Sequence, residues 1–516
     1  LVFLLAVCLT VVISLGLRIV YLNQRSLWFD EASSWLTCQM SRGDLLASLK
    51  QSTHVPLYYP ILRSWMGIFG DSPTALRGFS VLFGMLTICG CGLLGRRLTP
   101  TGQVPPDAQA SDVNSHHISR LWFGLFCAAL CGFNGFQVLA SVEARMYSLG
   151  TFLTVLSTLA TLNVAQAPER KRNWGSLVCV TTVSLYTHHF LALTAGIQAM
   201  WLLGLLWTRR QVRPQAASAP VLRYWLIAVV SVAVLWIPGL WLWAIQMNRI
   251  HTDFWIPPLS FWSVPETCFD FFAAPPPGRR REFHGLALCA SLVVALLLHQ
   301  SWRRKQPVLL LLWLQAVVPM LLIALVSLRT PLWESRYFRF THVSLLLCLA
   351  VSLWSLSSRV RFRTVTCSAA LIVSLAGSLL FWTLRDIPNR QAVRGAMSLI
   401  DSQESTSPTN VVVVTSPIHF IVARYYADQL GWPAERVKLW TGEDRDPGAA
   451  VHLIDRADWW DGGTAAKSET VWVLSSGFPE NVVGHVTSPE YEFPSDNWIG
   501  SWTVTTVRLE LRMPDE

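Results

Sequence analysis

The chain has 516 residues, 52% of them hydrophobic and only 14% charged, with a mean hydropathy of +0.39. An average soluble domain is about 25% charged, so the composition excludes a soluble globular enzyme, a disordered chain and a secreted disulfide scaffold, and describes a polytopic membrane protein. The net charge of +9 divides unevenly: residues 385–516 hold 11 Lys and Arg against 19 Asp and Glu, and the preceding residues hold 30 against 13, in short basic clusters that mark membrane topology rather than a nucleic-acid groove.

Apolar runs matched to a hydrocarbon core of about 30 Å predict eleven transmembrane helices, at roughly 1–17, 77–95, 121–140, 147–165, 174–187, 190–207, 224–246, 285–300, 308–328, 340–356 and 364–384. The first is read as a span rather than a cleaved leader. With the N-terminus cytoplasmic, the inner loops 95–120, 166–173, 208–223, 301–307 and 357–363 hold 16 basic and 3 acidic residues in 64. The outer loops 18–76, 140–146, 187–190, 246–284 and 328–339 hold 13 and 10 in 121. Each inner loop obeys the positive-inside rule, and an odd number of spans places the acidic C-terminal part outside. The 25 Trp suit the bilayer interface.

Past the eleventh run the character changes. A polar, partly helical approach over 388–408 leads to a β-branched run at Val411–Val414, a helix near 418–430 and further strands at 471–474 and 503–511. The predicted fold is therefore all-α and polytopic, about 11 transmembrane helices over residues 1–385, followed by a small extracytoplasmic α/β domain over 386–516. Nine of the 11 Cys lie within apolar runs and no C-x-x-C occurs, so no metal or redox framework is indicated. Cys38 and Cys268, both in outer loops, are the pair that could join.

The chemistry-bearing residues gather on the outer side. The first outer loop carries Trp28-Phe29-Asp30-Glu31, two carboxylates among aromatics, which reads either as an interfacial surface helix or as a general base with a supporting acid. It continues into His54-Val55-Pro56-Leu57-Tyr58-Tyr59, where a stiff turn presents His54, and Arg77 stands at the entry to the second span. Glu143-Ala144-Arg145-Met146-Tyr147 joins spans three and four, either as a local ion pair or as substrate contacts. Tyr186-Thr187-His188-His189-Phe190 joins spans five and six. Arg336 and Tyr337 precede span ten, where an Arg suits a phosphate at the membrane surface. The loop 246–284, with Trp255, Trp262, Phe271, Phe272 and the prolines 257, 258 and 275–277, reads as interfacial packing. Acids for a base and cations for a phosphate at headgroup level describe a site for a lipid-phosphate substrate.

In this order the motifs resemble those of the polytopic lipid-linked-sugar glycosyltransferases of the GT-C superfold. The resemblance covers about residues 1–385 and is closest to the bacterial branch related to protein O-mannosyltransferases, the lipid A aminoarabinose transferase and the rhizobial galacturonosyltransferases. It implies a multi-pass protein of the inner membrane that transfers a sugar, with inversion, from a polyprenyl-phosphate donor to an acceptor hydroxyl of a glycolipid, glycan or protein. It also implies a catalytic base at Asp30 with Glu31 in support, and phosphate or substrate contacts at His54, Arg77, Glu143, Arg145, His188, Arg336 and Tyr337. Val55 departs from the family's usual second Pro beside His54, and the tail 386–516 inherits no role. The sequence requires no cofactor. A divalent cation would have Glu143 and His188 to bind, and no nucleic acid is implied. The competing readings are an oligosaccharide ligase with a diphosphate-linked donor, a lipid or sugar transporter, which would need charges near the midplane of its spans, and a non-catalytic assembly protein indifferent to loss of Asp30.

Overall fold

The computed structural model describes residues 1–20, 22–23, 25–98, 110–212, 220–247, 256–273, 280–356, 359–384, 393–403, 411–440, 453–454, 458–460, 470–475, 491–492, 498–501 and 504–511. In chain order the helices are α1 (Val2–Ile19), α2 (Phe29–Gln39), α3 (Arg42–Gln51), α4 (Tyr58–Phe69), α5 (Pro73–Leu98), α6 (Ala110–Phe133), α7 (Gly135–Ser141), α8 (Tyr147–Gln166), α9 (Lys171–Leu185), α10 (Leu191–Val212), α11 (Pro220–Leu235), α12 (Ile237–Met247), α13 (Ser263–Asp270), α14 (His284–Trp302), α15 (Pro307–Ser327), α16 (Arg339–Trp354), α17 (Val360–Leu384), α18 (Val393–Gln403) and α19 (Pro417–Gln429). The strands are β1 (Val411–Val414), β2 (Val437–Leu439), β3 (Thr470–Ser475), β4 (Tyr491–Glu492), β5 (Trp498–Ser501) and β6 (Val504–Leu511). They form two compact units. The first comprises residues 1–20, 53–58 and 77–385, and the second 21–52, 59–76 and 386–516. Segments 21–52 and 59–76, counted from sequence with the membrane part, thus belong with the C-terminal region.

The first unit is a bundle of apolar helices, and the chain is a multi-pass membrane protein. Among the described residues eight helices are long and apolar enough to cross a membrane, and ten if the pairs α6–α7 and α11–α12, bent by 67° and 55°, each count as one span. The fifth predicted span, 174–187, is not among them: it is α9, whose 15 residues reach only about 22 Å at 1.5 Å per residue. It still runs the length of its neighbour. Near its start Trp174 Nε1 donates to the carbonyl of Pro168, just past the end of α8. Just after its end the His188 ring lies 6.0 Å from that of Tyr147, the first residue of α8.

Both bends have local causes. At Asn134 the side-chain oxygen accepts the Gln137 N–H at 3.1 Å and caps α7, while its amide donates to the Phe271 carbonyl at 2.8 Å. Pro238 at the second position of α12 has no N–H to extend the ladder from α11. In the bundle interior, polar side chains satisfy one another, as they must away from water. Gln198 Nε2 donates to Ser157 and Thr158, Gln315 Nε2 donates to Thr158, and the Ser344 hydroxyl donates to Gln315 Oε1. This network fixes the register of α8, α10, α15 and α16. At Gly150 of α8 a Cβ would stand 2.4 Å from the buried Phe340 ring of α16, so only glycine permits that approach.

The second unit holds a mixed sheet of order β2-β1-β3-β6-β4, with β5 also paired to β6. β1 is parallel to β2 and β3, and β6 is antiparallel to β3. All four valines of β1 are buried, as a β-branched run in a covered parallel strand should be. The sheet and α19 agree with the strands and helix expected at 411–414, 471–474, 503–511 and 418–430. Of the predicted approach over 388–408, α18 is described, while 388–392 and 404–408 lie outside the described residues, as do Trp255 and Pro275–Pro277. Cys38 and Cys268 are both free thiols, so the pairing raised by the sequence is not made. Burial pushes the Cys38 thiol up to about 12.

Candidate active site

In the first unit five separate segments meet at one cluster. Arg145, in the turn after α7, donates from its guanidinium to His54 Nε2 at 3.0 Å. A guanidinium has no acceptor atom, so His54 Nε2 carries no proton and the ring is a neutral imidazole with its N–H at Nδ1. The cation of this pair is therefore Arg145. Gln246 at the end of α12 holds the same loop, donating from Nε2 to the His54 carbonyl at 2.7 Å. Its Oε1 accepts from His189 Nε2 at 2.8 Å. The Leu57 N–H donates to the Tyr186 carbonyl at 3.1 Å, tying the His54 loop to the turn between α9 and α10.

His188 sits in that turn among aromatic rings: Phe340 at 4.6 Å, Phe190 at 5.5 Å, Tyr147 at 6.0 Å and Tyr337 at 6.2 Å between centroids. Burial first, then the neighbouring His189 and Arg145, holds its imidazole well below the ordinary histidine range. Burial also lowers His189, partly offset by its bond to Gln246. The folded chain thus keeps both rings neutral where the unfolded chain, with an ordinary histidine value of about 6.5, takes up protons. Because the unfolded state binds more protons in that window, stability falls as pH drops below about 6.5. A thermal melt in detergent is expected to lose temperature between pH 7.5 and pH 5.5, and His188→Phe, which fits the same aromatic nest, is expected to flatten the loss. A steeper loss in the variant would remove His188 as its source.

Glu143 and Arg339 form a buried ion pair at 2.7 Å, their side chains only 6% and 3% exposed. The Arg339 guanidinium also lies 4.8 Å from the Tyr147 ring centre and 5.7 Å from that of Phe136. Arg336 and Tyr337 occupy the 3-10 turn Ser335–Phe338 that leads into α16, and the Tyr337 ring packs against Phe190 at 5.0 Å. Arg77 is buried in the second turn of α5. One turn on, the Ser80 carbonyl accepts the Ser148 hydroxyl at 2.6 Å, joining α5 to the start of α8. Glu143 and His188 do not suit a metal ion: Glu143 is held by a guanidinium, and His188 Nδ1 accepts the Phe190 N–H at 3.2 Å in a nest of rings beside Arg145. Among the described residues no group of three or more His, Cys, Asp or Glu could hold one.

Asp30 and Glu31 lie in the second unit, at the second and third positions of α2. The half-buried Asp30 sits where an acidic side chain suits the positive end of a helix. Glu31 is fully buried, and its Oε2 accepts the Trp28 N–H at 3.3 Å, half of a capping box. The start of α2 is held by α19. The Leu27 N–H donates to the Tyr426 hydroxyl at 2.8 Å. Asp71 takes three more bonds: from Trp35 Nε1 at 3.0 Å and Gln429 Nε2 at 3.1 Å to its carboxylate, and from the Tyr425 hydroxyl at 3.0 Å to its carbonyl.

No protein-family model matches the sequence, and no curated protein matches it. Solved structures do match. ArnT from Cupriavidus metallidurans in the apo state aligns over 97% of both chains at 14% identity with a TM-score of 0.60. The same protein bound to undecaprenyl phosphate aligns over 97% of both chains at 14% identity and 0.59. The chain has the GT-C fold. An oligosaccharyltransferase from Archaeoglobus fulgidus aligns over 91% of this chain and 68% of its own at 10% identity, with a TM-score of 0.46. Gln246 and Arg339 complete the cluster and were missed from sequence, and His189, read there only as part of a motif, joins it through Gln246. Each left a signal: a lone amide at the end of the apolar run of α12, the second member of a His pair, and a second Arg three residues after Arg336.

Proposed function

We propose that this protein is an inverting glycosyltransferase that moves a sugar from a polyprenyl-phosphate donor to an acceptor hydroxyl at the outer face of the cell's inner membrane. The observation that carries the reading is the GT-C fold, aligned over 97% of both chains with a structure determined with undecaprenyl phosphate bound. The cluster in the first unit supports it, because Arg145 and Arg336 bring guanidinium groups, the cations best matched to a phosphate. The basic loops support a cytoplasmic N-terminus and an extracytoplasmic C-terminal region.

In this reading Asp30 takes the proton of the acceptor hydroxyl as its oxygen bonds to the anomeric carbon. The bond from that carbon to the phosphate oxygen breaks on the opposite face, and the configuration inverts. Polyprenyl phosphate leaves as an anion, stabilised by Arg145 and Arg336, so no general acid is required. Glu31 supports Asp30 through the helix start that it caps.

The test is release of polyprenyl phosphate from a panel of polyprenyl-phosphate sugars by the reconstituted protein with an envelope acceptor fraction. Release from one donor is expected and names the sugar. Release only from diphosphate-linked donors, or from none, would overturn the proposal. Arg336→Ala is expected to weaken donor binding, and an unchanged donor affinity would remove Arg336 from the phosphate contacts.

A further inference from the structure

The segment that carries α2 to α4 holds a cavity of about 530 Å³ whose mostly apolar lining is edged by two arginines, and the transfer reaction does not use it. Its lining includes Thr37 of α2, Ser41 and Arg42 at the start of α3, and Arg63 and Ser64 of α4, with two guanidinium groups and no acid. The hydroxyls are committed locally: Thr37 donates to the Ser33 carbonyl, Ser64 to the Pro60 carbonyl and Ser41 to the Asp44 carboxylate. Arg63 spends one N–H on the Met40 carbonyl at 3.0 Å, which anchors its guanidinium at the cavity. The remaining N–H groups of Arg63, and those of Arg42, are the donors the cavity offers, and they match an anion with several oxygens.

A second observation says what carries that anion. Leu46 lies four residues after Arg42, and Ile68 four after Ser64, so each helix shows an exposed apolar side chain one turn beyond a cavity residue on the same face. Leu46 is 46% exposed, Ile68 75% and the adjoining Phe69 56%. A cation or hydroxyl with a large exposed apolar side chain one turn away suits a surface that meets both anionic headgroups and acyl chains. We propose that this cavity binds the phosphate of an anionic lipid headgroup, with Leu46, Ile68 and Phe69 set among the acyl chains.

The site can be tested without a sugar donor, so its failure and that of the transferase reading are separable. The full-length protein in detergent is titrated with short-chain phosphatidylglycerol, short-chain phosphatidylcholine and inorganic phosphate, with bound species counted by native mass spectrometry. The wild type is expected to take up one phosphatidylglycerol that the Arg42→Gln/Arg63→Gln variant binds about 30-fold more weakly, from about 5-fold for each Arg at an anionic lipid surface. The Arg42→Lys/Arg63→Lys variant, which keeps both charges, is expected to stay within a few fold of the wild type. Both pairs change exposed side chains, and matching thermal melts verify the fold. Unchanged binding by the Gln variant overturns the proposal, as does equal binding of phosphatidylcholine. Inorganic phosphate binding as tightly as phosphatidylglycerol overturns the lipid source.

Discussion

Replacing Asp30 by Asn is expected to lower the rate of sugar transfer by about 10²–10⁴-fold, the usual worth of a positioned general base, with no loss of folded protein. The amide matches the carboxylate in size and cannot take the acceptor's proton. The start of α2 is fastened by Leu27 to Tyr426 and by Glu31 to Trp28. The loss should appear in kcat with the thermal melt unchanged. The informative control is Glu31→Gln, which retains an acceptor for the Trp28 N–H and should transfer at near the normal rate. Near-normal transfer by Asp30→Asn would end the base assignment, and an inactive Glu31→Gln beside an active Asp30→Asn would exchange the two roles.

Glu143→Ala should be among the most destabilising single changes in the first unit. It leaves the Arg339 guanidinium buried between Tyr147 and Phe136 without its carboxylate. Breaking a buried pair from one side costs about 3–5 kcal/mol, whereas replacing both members by apolar groups of similar volume is often neutral. Thermal unfolding in detergent should therefore show a large drop for Glu143→Ala and substantial recovery in Glu143→Leu/Arg339→Met. A double variant as unstable as the single one would mean that the pair does more than neutralise itself, with Glu143 needed for another contact.

Much of the membrane fold was legible because hydrocarbon demands long apolar runs. β1 was legible for a related reason, since four consecutive valines suit only a strand covered on both faces. The bends at Asn134 and Trp236 escaped notice, because each interrupts an apolar run by one or two residues without making it polar. The cluster in the first unit was legible as a set of residue types, but not as pairs. Arg339 meets Glu143 across 196 residues, and Gln246 meets His54 across 192. Neighbours in sequence suggested a bond between Glu143 and Arg145, whereas long-range pairing gives Glu143 to Arg339 and makes His54 an acceptor. Glu31 likewise reads from sequence as half of an acidic pair, and in the fold it caps a helix.

The bond from Leu27 to Tyr426 also sets an order in time. It spans 399 residues, so during synthesis the segment bearing Asp30 emerges and then waits for its support. At about 5–20 residues per second, the wait is roughly 20–80 s, long enough for the bundle's early helices to insert and pack. A chain that stops before α19 would lack the Tyr426 hydroxyl and the Tyr425 and Gln429 contacts to Asp71. The start of α2, with its carboxylates, is thus secured only after α19 has been made.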